Sequence, residues 1–289
     1  MRRLSAAFQL GRAKKGSATM LRSIAVKAGD SEWAHAARDH ALKLASQFGA
    51  RLYVAGIWEG EQAQRHAQEM DGENPPDLLI EAVTALVGKA EERGIVAERV
   101  YNSHGIVTGL YELSKLTDML VIGIPDKGGP VFEDKIIRLF GTRFLSILNK
   151  AESMVEVVSR QPQDIGKVLV HQRGGVKGKS ALRAGAHLAE KYQADIVLLV
   201  ARREGEQQTR PDAHQAERYL QAFDIGDVQT VEAANSPNEP SEVIKTFNTQ
   251  GADIVVVGDD PKGPIRELFG EHTAQEVVDR ITTPVVVAR

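Results

Sequence analysis

The sequence repeats itself over a long interval, and this repeat limits the folds that the chain can adopt. Asp118-Met-Leu-Val-Ile-Gly123 in the first half corresponds to Asp253-Ile-Val-Val-Val-Gly258 in the second. Each block is followed by a Leu-Phe-Gly triplet, which ends at Gly141 or at Gly270, and then by another apolar run. An interval of roughly 130 residues is too long for a solenoid unit. The pattern therefore predicts one domain that has been duplicated.

Length and composition agree with this prediction. A chain of 289 residues favours about two domains, and 42% hydrophobic with 26% charged residues is typical of globular proteins. The net charge of −3 gives no electrostatic reason to bind nucleic acid or an anionic membrane. The absence of cysteine excludes disulfides, thiolate zinc sites and cysteine nucleophiles. We therefore expect neither a nucleic-acid partner nor a membrane partner.

Residues 1–20 differ in composition from the rest of the chain. They contain no acidic residue and five basic ones, Arg2, Arg3, Arg12, Lys14 and Lys15. We predict a basic, disordered tail, with an organelle-targeting segment or an upstream start codon before Met20 as the alternatives. The predicted domains then span 21–160 and 166–289, with a short polar linker between them.

Each half alternates apolar strands with amphipathic helices. Strands that are apolar on both faces and separated by helices form parallel sheets covered on both sides. The fold class predicted is therefore α/β, with two tandem open doubly wound five-stranded parallel sheets. Helices are predicted at about 31–48, 77–93, 107–116, 135–150, 178–192, 211–223, 240–249 and 266–281. The predicted strands are Ser23–Val26, Leu52–Ala55, about 96–101, Asp118–Gly123, Met154–Val158, Lys167–Val170, Asp195–Val200, Val228–Val231, Asp253–Val257 and Pro284–Ala288.

The fifth strand of each half, Met154–Val158 and Pro284–Ala288, is apolar and is expected at the edge of its sheet. An uncovered apolar edge favours pairing with another strand. We predict that these two edges pair within the chain and form an intramolecular pseudo-dimer, with a homo-oligomer as the other way to cover them.

Doubly wound sheets bind ligands at the carboxyl ends of the strands, where the strand order reverses. The loops after the first and fourth strands are therefore the candidate binding site. Glycines there allow backbone amides to approach a phosphate, and lysines offset its charge. The candidates are Gly29, Asp30, Gly123, Lys127, Gly128, Gly129, Gly141 and Thr142 in the first half, and Gly174, Gly175, Gly258, Lys262, Gly263 and Gly270 in the second.

The strand pattern, the Ala-Asp-Ile-Val-Val-Val-Gly258 block and the final Thr-Pro-Val-Val-Val stretch resemble the universal stress protein family. The resemblance covers nearly the whole chain as two tandem domains of the adenine nucleotide alpha hydrolase-like fold. It implies a cytoplasmic, non-catalytic stress regulator that assembles as a dimer and can bind ATP or AMP. Nucleotide-binding members carry Gly, two residues, Gly, nine residues, then Gly-Ser or Gly-Thr.

Both halves depart from that signature. In the first half Asp126 replaces the middle glycine, and the gap to Gly141 is five residues too long. In the second half Pro261 replaces it, and Glu271 stands where a hydroxyl would meet the phosphates. The family's adenine-side Asp is also missing, since Ala28 takes that position. We therefore expect nucleotide binding to be weak or absent, and to survive in the first half if in either.

Three other interpretations compete. Arg173–Ser180 is similar to a Walker A loop, but Arg173 replaces the first required glycine, and a basic anion-accepting turn or a plain solvated turn fits better. The whole protein could be an interaction module that has lost its ligand and binds an unknown protein partner. An enzyme related to the ATP pyrophosphatases is disfavoured because the loop residues of that class are missing. No catalytic or metal-binding residue is therefore predicted.

Overall fold

A computed structural model describes residues 20–29, 31–58, 76–125, 146–148, 150–160, 164–172, 175–201, 209–233, 239–258, 277–278 and 280–289. The first half contains β1 (Ser23–Lys27), α1 (Glu32–Phe48), β2 (Arg51–Ile57), α2 (Asp77–Glu92), β3 (Ala97–Asn102), α3 (Ile106–Leu116), β4 (Met119–Gly123) and β5 (Met154–Val158). The second contains β6 (Lys167–Gln172), α4 (Gly175–Tyr192), β7 (Asp195–Ala201), α5 (Thr209–Leu220), β8 (Val228–Ala233), α6 (Glu239–Gln250), β9 (Ile254–Gly258) and β10 (Val285–Ala288).

All ten predicted strands are present. The described helices agree with their predicted bounds to within two residues at all but two ends: α4 begins at Gly175 instead of 178, and α5 ends at Leu220 instead of 223. Past Leu220 the chain tightens into a turn, in which the amides of Ala222 and Phe223 donate to carbonyls three residues back. The predicted tail up to residue 19 and most of the helices predicted at 135–150 and 266–281 lie outside the described residues.

The ten strands form one sheet in the order β3-β2-β1-β4-β5-β10-β9-β6-β7-β8. Every neighbouring pair is parallel except β5 and β10, which run antiparallel with Glu156 opposite Val286. Each half thus has the same strand order, and the two five-stranded sheets are continuous through their fifth strands. The predicted pseudo-dimer is confirmed, and we call the β5–β10 contact the seam. The domain bounds drawn from the sequence remain a prediction.

An aspartate braces the start of the central strands in each half. Asp118 Oδ2, just before β4, accepts hydrogen bonds from the amides of Arg22 and Ser23 at 2.8 and 3.0 Å and from Ser23 Oγ at 2.9 Å. Asp253 Oδ2, just before β9, accepts from the amides of Gly166 and Lys167, both at 2.9 Å. These bonds fix β1 beside β4 and β6 beside β9.

Two apolar clusters cover the faces of the sheet. The first is formed with α1, α2, α4 and α5, and the second with α3, α6 and the residues near 147 and 278. The sheet is therefore the middle of three layers, as strands that are apolar on both faces require. Within the described residues, no helix is long and apolar enough to cross a membrane.

Equivalent helices of the two halves end in the same way. α1 is capped at its start by Ser31, whose Oγ accepts from the amide of Ala34 at 3.3 Å. Gly49 follows its last residue and has the left-handed φ of 63° that glycine favours. Gln193 follows the last residue of α4 and has a left-handed φ of 52°. These two left-handed residues give a common reference for comparing positions along α1 and α4.

Candidate functional site

A cleft opens at the carboxyl ends of β1 and β4, where the strand order of the first half reverses. Its volume is about 270 Å³. The start of α1 and the first turns of α3 complete the described part of its wall, whose apolar residues include Ile106, Leu110, Ile122, Ile124 and Ile147. The sequence placed a binding site at this position of the fold. The structure adds the side chains that surround it.

The loop after β1 brings a positive charge to the cleft. Lys27 is half-buried and lines the cavity. Its Nζ lies 3.4 Å from the carbonyl oxygen of Ala28. A Cβ added to Gly29 would lie 3.6 Å from the same Nζ, so the ammonium group lies directly over the loop. An ammonium group here favours an anionic ligand group.

The next residue of this loop faces away from the cleft. Ala28 is fully buried in the core, and its amide donates to Ala55 O at 2.8 Å. The family resemblance places a carboxylate at this position for the adenine side of the pocket. Here that position supplies only a methyl group to the hydrophobic core, so residue 28 does not provide the acceptor that the resemblance implies.

The start of α1 contributes an aromatic ring and a hydroxyl group. Trp33, in the first turn, is half-buried and lines the cavity together with Ser31. An indole ring beside a cavity can stack on a flat heterocycle. The first amides of a helix also favour negative charge nearby. The cleft thus combines a cation, a helix start and an aromatic face.

Gly123 is required by packing whether or not a ligand binds. A Cβ added at this position would lie 2.2 Å from the backbone oxygen of Trp33, closer than real contacts allow. The end of β4 can therefore approach the start of α1 only if this residue is glycine. Gly29 differs, since an added Cβ would meet the Cβ of Ala34 at 3.4 Å, which is an ordinary contact.

The corresponding edge of the second half carries different side chains. When Asp118 is aligned with Asp253, Lys27 corresponds to His171 and Ala28 to Gln172. Both second-half residues are buried, at 2% and 7% exposure. Gln172 Oε1 has no hydrogen-bond partner among the described residues. A buried imidazole thus replaces the cation of the first cleft, and a buried amide replaces the methyl group of Ala28.

The glycine-rich segment after β6 is mostly helical. α4 begins at Gly175, so the stretch from Gly175 to Ser180 belongs to its first turns. A Walker A loop would keep part of this stretch as an open phosphate-binding loop. The helical start of α4 therefore argues against a Walker A loop at this position. Gly258 ends β9 at the position that corresponds to Gly123.

The structure brings Gly29 and Gly123 to one cleft and leaves most other candidates untested. Outside the described residues lie Asp30, Lys127, Gly128, Gly129, Gly141, Thr142, Gly174, Lys262, Gly263 and Gly270. The sequence analysis missed the roles of Lys27 and Trp33. Trp33 fits the core-facing spacing of α1, and a single lysine after a strand gives no sign of a binding role. The signal available was their position on either side of Gly29.

The second half of the chain matches a known protein family. The profile of the universal stress protein family matches residues 165–289, which contain β6 to β10. The second half of the chain is a universal stress protein domain. The first half repeats its strand order, its aspartate brace and its fifth-strand pairing. No curated protein sequence matches the chain at a significant level.

Solved structures share the fold over almost the whole chain. A universal stress protein from Archaeoglobus fulgidus DSM 4304 aligns with 93% of this chain and 98% of its own, with a TM-score of 0.73 and 14% identity. A functionally unknown protein from Pseudomonas aeruginosa PAO1 aligns with 94% of each chain, with a TM-score of 0.60 and 17% identity. At these identities the likeness establishes the fold alone, over both halves of the chain.

Proposed function

We propose that the protein is a non-catalytic regulator of the universal stress protein type whose first half binds an adenine nucleotide weakly. The observation that carries the proposal is the presence of Lys27 and Trp33 on the wall of one cavity at the reversal of strand order. The ammonium group suits a phosphate, and the indole suits the face of a base. The family resemblance also implies that the protein acts in the cytoplasm.

Two features argue that the affinity is low. Ala28 offers no acceptor to the adenine amino group, because its side chain is a buried methyl. The described cavity of about 270 Å³ is also near the lower limit of ligand pockets, roughly 300 Å³. We expect ATP and AMP to bind far more weakly than they bind to members with an intact signature.

The sequence favours the first half over the second for this site. Thr142 keeps a hydroxyl group at the end of the first phosphate motif, whereas Glu271 places a carboxylate at the end of the second. A carboxylate within about 4 Å of a phosphate costs roughly 1–4 kcal/mol at surface-like screening. That cost lowers the affinity by a factor of about ten to a thousand, which is enough to empty a marginal site.

The second candidate function is an interaction module that no longer binds a ligand. The burial of Ala28 and the replacement of Lys27 by His171 in the second half favour this alternative. Such a module would keep the ten-stranded sheet as a rigid platform for a protein partner. Mass spectrometry that finds adenine nucleotide in the natively purified protein would support the first candidate against the second.

The direct test of the first candidate is a titration with ATP and with AMP. Lys27→Ala should weaken binding about tenfold or more, because charge-assisted hydrogen bonds contribute about 1.5–3 kcal/mol. Lys89→Ala is the matched control, since it removes the same charge from an exposed position on α2. Equal affinities for the two variants would remove the basis of the proposal. No binding by the wild type would favour the interaction module.

A further inference from the structure

A histidine and a glutamate are buried together beside the seam. His40 on α1 and Glu156 on β5 join through Nε2 and Oε1 at 2.6 Å, and both side chains are fully buried. Among the described residues, neither His40 Nδ1 nor Glu156 Oε2 has a hydrogen-bond partner. Replacing a buried polar pair of this kind with well-packed apolar residues is often neutral or stabilising. Stability alone therefore does not explain why the pair is present.

The pseudo-twofold axis of the molecule passes through this position. Glu156 lies opposite Val286, Val155 lies opposite Val287, and Val157 lies opposite Val285. The sequence repeat makes Glu156 and Val286 equivalent, so the residue on the axis faces its own counterpart. One strand thus presents a carboxylate at the centre of the seam, and the other presents a valine.

The helices above the seam show the same asymmetry. His40 lies nine residues before the left-handed Gly49, and Ala184 lies nine residues before the left-handed Gln193. Ala184 is 1% exposed, so it fills the corresponding core position with a methyl group. The first half therefore has a histidine and a glutamate where the second has an alanine and a valine.

We propose that the His40–Glu156 pair makes β5 accept the second half of its own chain and reject a second copy of the first half. Two copies of β5 paired in the register of the seam would place two Glu156 carboxylates directly opposite each other. Residues directly opposite in an antiparallel pair are about 5 Å apart, and like charges there are destabilising. Pairing with β10 avoids this contact, because Val286 meets the carboxylate with apolar surface only.

The second half also places a different aromatic residue near the pair from the one that the first half would supply. Tyr192 ends α4, and the equivalent residue at the end of α1 is Phe48. Burial raises the pKa of the Tyr192 hydroxyl, and the charge of Glu156 raises it further, so this hydroxyl lies within electrostatic reach of the carboxylate. Lys43 of α1 lies 5.8 Å from the centre of the Tyr192 ring and pairs with Asp164 at 2.9 Å. A second copy of the first half would bring a phenyl ring instead of this phenol.

The test changes the seam in the full-length chain and measures its assembly. H40A/E156V gives the first half the residues of the second, and A184H/V286E does the reverse. The four substitutions together exchange the two sides. Each protein is unfolded and refolded over a range of concentrations, and the products are resolved by size-exclusion chromatography with light scattering. Thermal unfolding reports whether each variant folds.

The proposal predicts a different outcome for each variant. H40A/E156V should refold into dimers in which the first halves of two chains pair through β5, with a dimer-to-monomer ratio at least about tenfold above the wild type. A184H/V286E should melt roughly 5–10 °C lower than the wild type, because two carboxylates then face each other. The exchanged variant should behave as the wild type does, since one polar and one apolar side are restored.

Two results would overturn the proposal. One is an H40A/E156V protein that folds and stays monomeric at every concentration at which the wild type does. The other is an A184H/V286E protein with the same melting temperature as the wild type, since the seam would then tolerate two carboxylates on the pseudo-twofold axis. If H40A/E156V does not fold, the second result still decides, with the exchanged variant showing whether the introduced pair can be accommodated.

Discussion

The first and second halves make the same contacts where the sheet is braced and different contacts where a ligand would bind. Asp118 and Asp253 both accept hydrogen bonds from the backbone at the start of the neighbouring strand. Lys27 and His171 occupy equivalent positions at the other end of those strands, yet Lys27 lines a cleft and His171 is buried. The duplication has preserved the residues that position the strands, while the residues at the ligand edge have diverged.

The largest expected effects test the shared part of this comparison. Asp118→Ala and Asp253→Ala should each lower the free energy of unfolding by about 1.5–3 kcal/mol, because each removes a charged acceptor from backbone amides. Urea denaturation of the full-length chain measures both losses. A substantial loss in one half with almost none in the other would show that the two braces are not equivalent.

A somewhat smaller effect is expected where the cleft meets α1. Gly123→Ala should destabilise the chain by about 1–3 kcal/mol, since the new methyl would overlap the backbone oxygen of Trp33. Gly29→Ala is the matched control in the same cleft and should cost no more than about 0.5 kcal/mol. If Gly123→Ala costs no more than its control, the close approach of β4 to α1 does not constrain this residue.

A pH-dependent difference is expected between α1 and α4. His187 lies at the position equivalent to Lys43, packed edge-on against Phe223 with the ring centres 5.1 Å apart. Burial lowers its pKa from the usual 6.5, Glu190 at 3.9 Å raises it in part, and Arg183 and Lys191 lower it. Because the unfolded chain binds the proton more readily, the stability present above pH 6.5 is lost as the pH falls below that value.

Thermal melts between about pH 7.5 and about pH 5.5 measure this loss. The melting temperature of the wild type should fall by roughly 2 °C over this pH range because of His187, and His187→Gln should abolish this fall. Lys43→Gln should leave the slope unchanged, since a lysine stays charged across this range. Identical profiles for the wild type and His187→Gln would show that this histidine does not contribute to the pH dependence.

The smallest effect is expected at the start of the chain. Residues 1–19 carry only positive charge and no apolar periodicity, so burial cannot offset the entropy of ordering them. Their deletion should leave the melting temperature almost unchanged. A fall of several degrees would mean that this segment docks on one of the two halves.

Much of the fold could be predicted because it depends on patterns that are visible along the chain. The strands from β1 to β10 are short apolar runs between helices, and the repeat gave both halves one strand order. The pairing of β5 with β10 followed from two apolar edges on one chain. Helix ends were predicted less well, since the tight turn after Leu220 depends on local hydrogen bonds that leave no periodic signal.

The sequence predicts where in the fold the candidate site lies, but it does not predict which side chains line the cleft. The carboxyl ends of β1 and β4 follow from topology alone. Trp33 has the spacing of a core residue, and the close contact at Gly123 that shows how the start of α1 lies against β4 leaves no periodic signal in the sequence. Similarly, Glu156 lies within an apolar strand, and the role proposed for its carboxylate depends on the distant His40 and on the pairing register with Val286.

The central claim is that one chain holds one nucleotide cleft, in its first half, and a count of bound ATP by native mass spectrometry tests it most directly. The wild type should bind one ATP per chain at saturation, and Lys27→Ala or Gly141→Glu should raise the ATP concentration needed for this binding about tenfold or more. Glu271→Ser should add a second ATP, because it removes the carboxylate from the second phosphate motif. Two ATP molecules on the wild type, or an unchanged affinity in both first-half variants, would contradict the account.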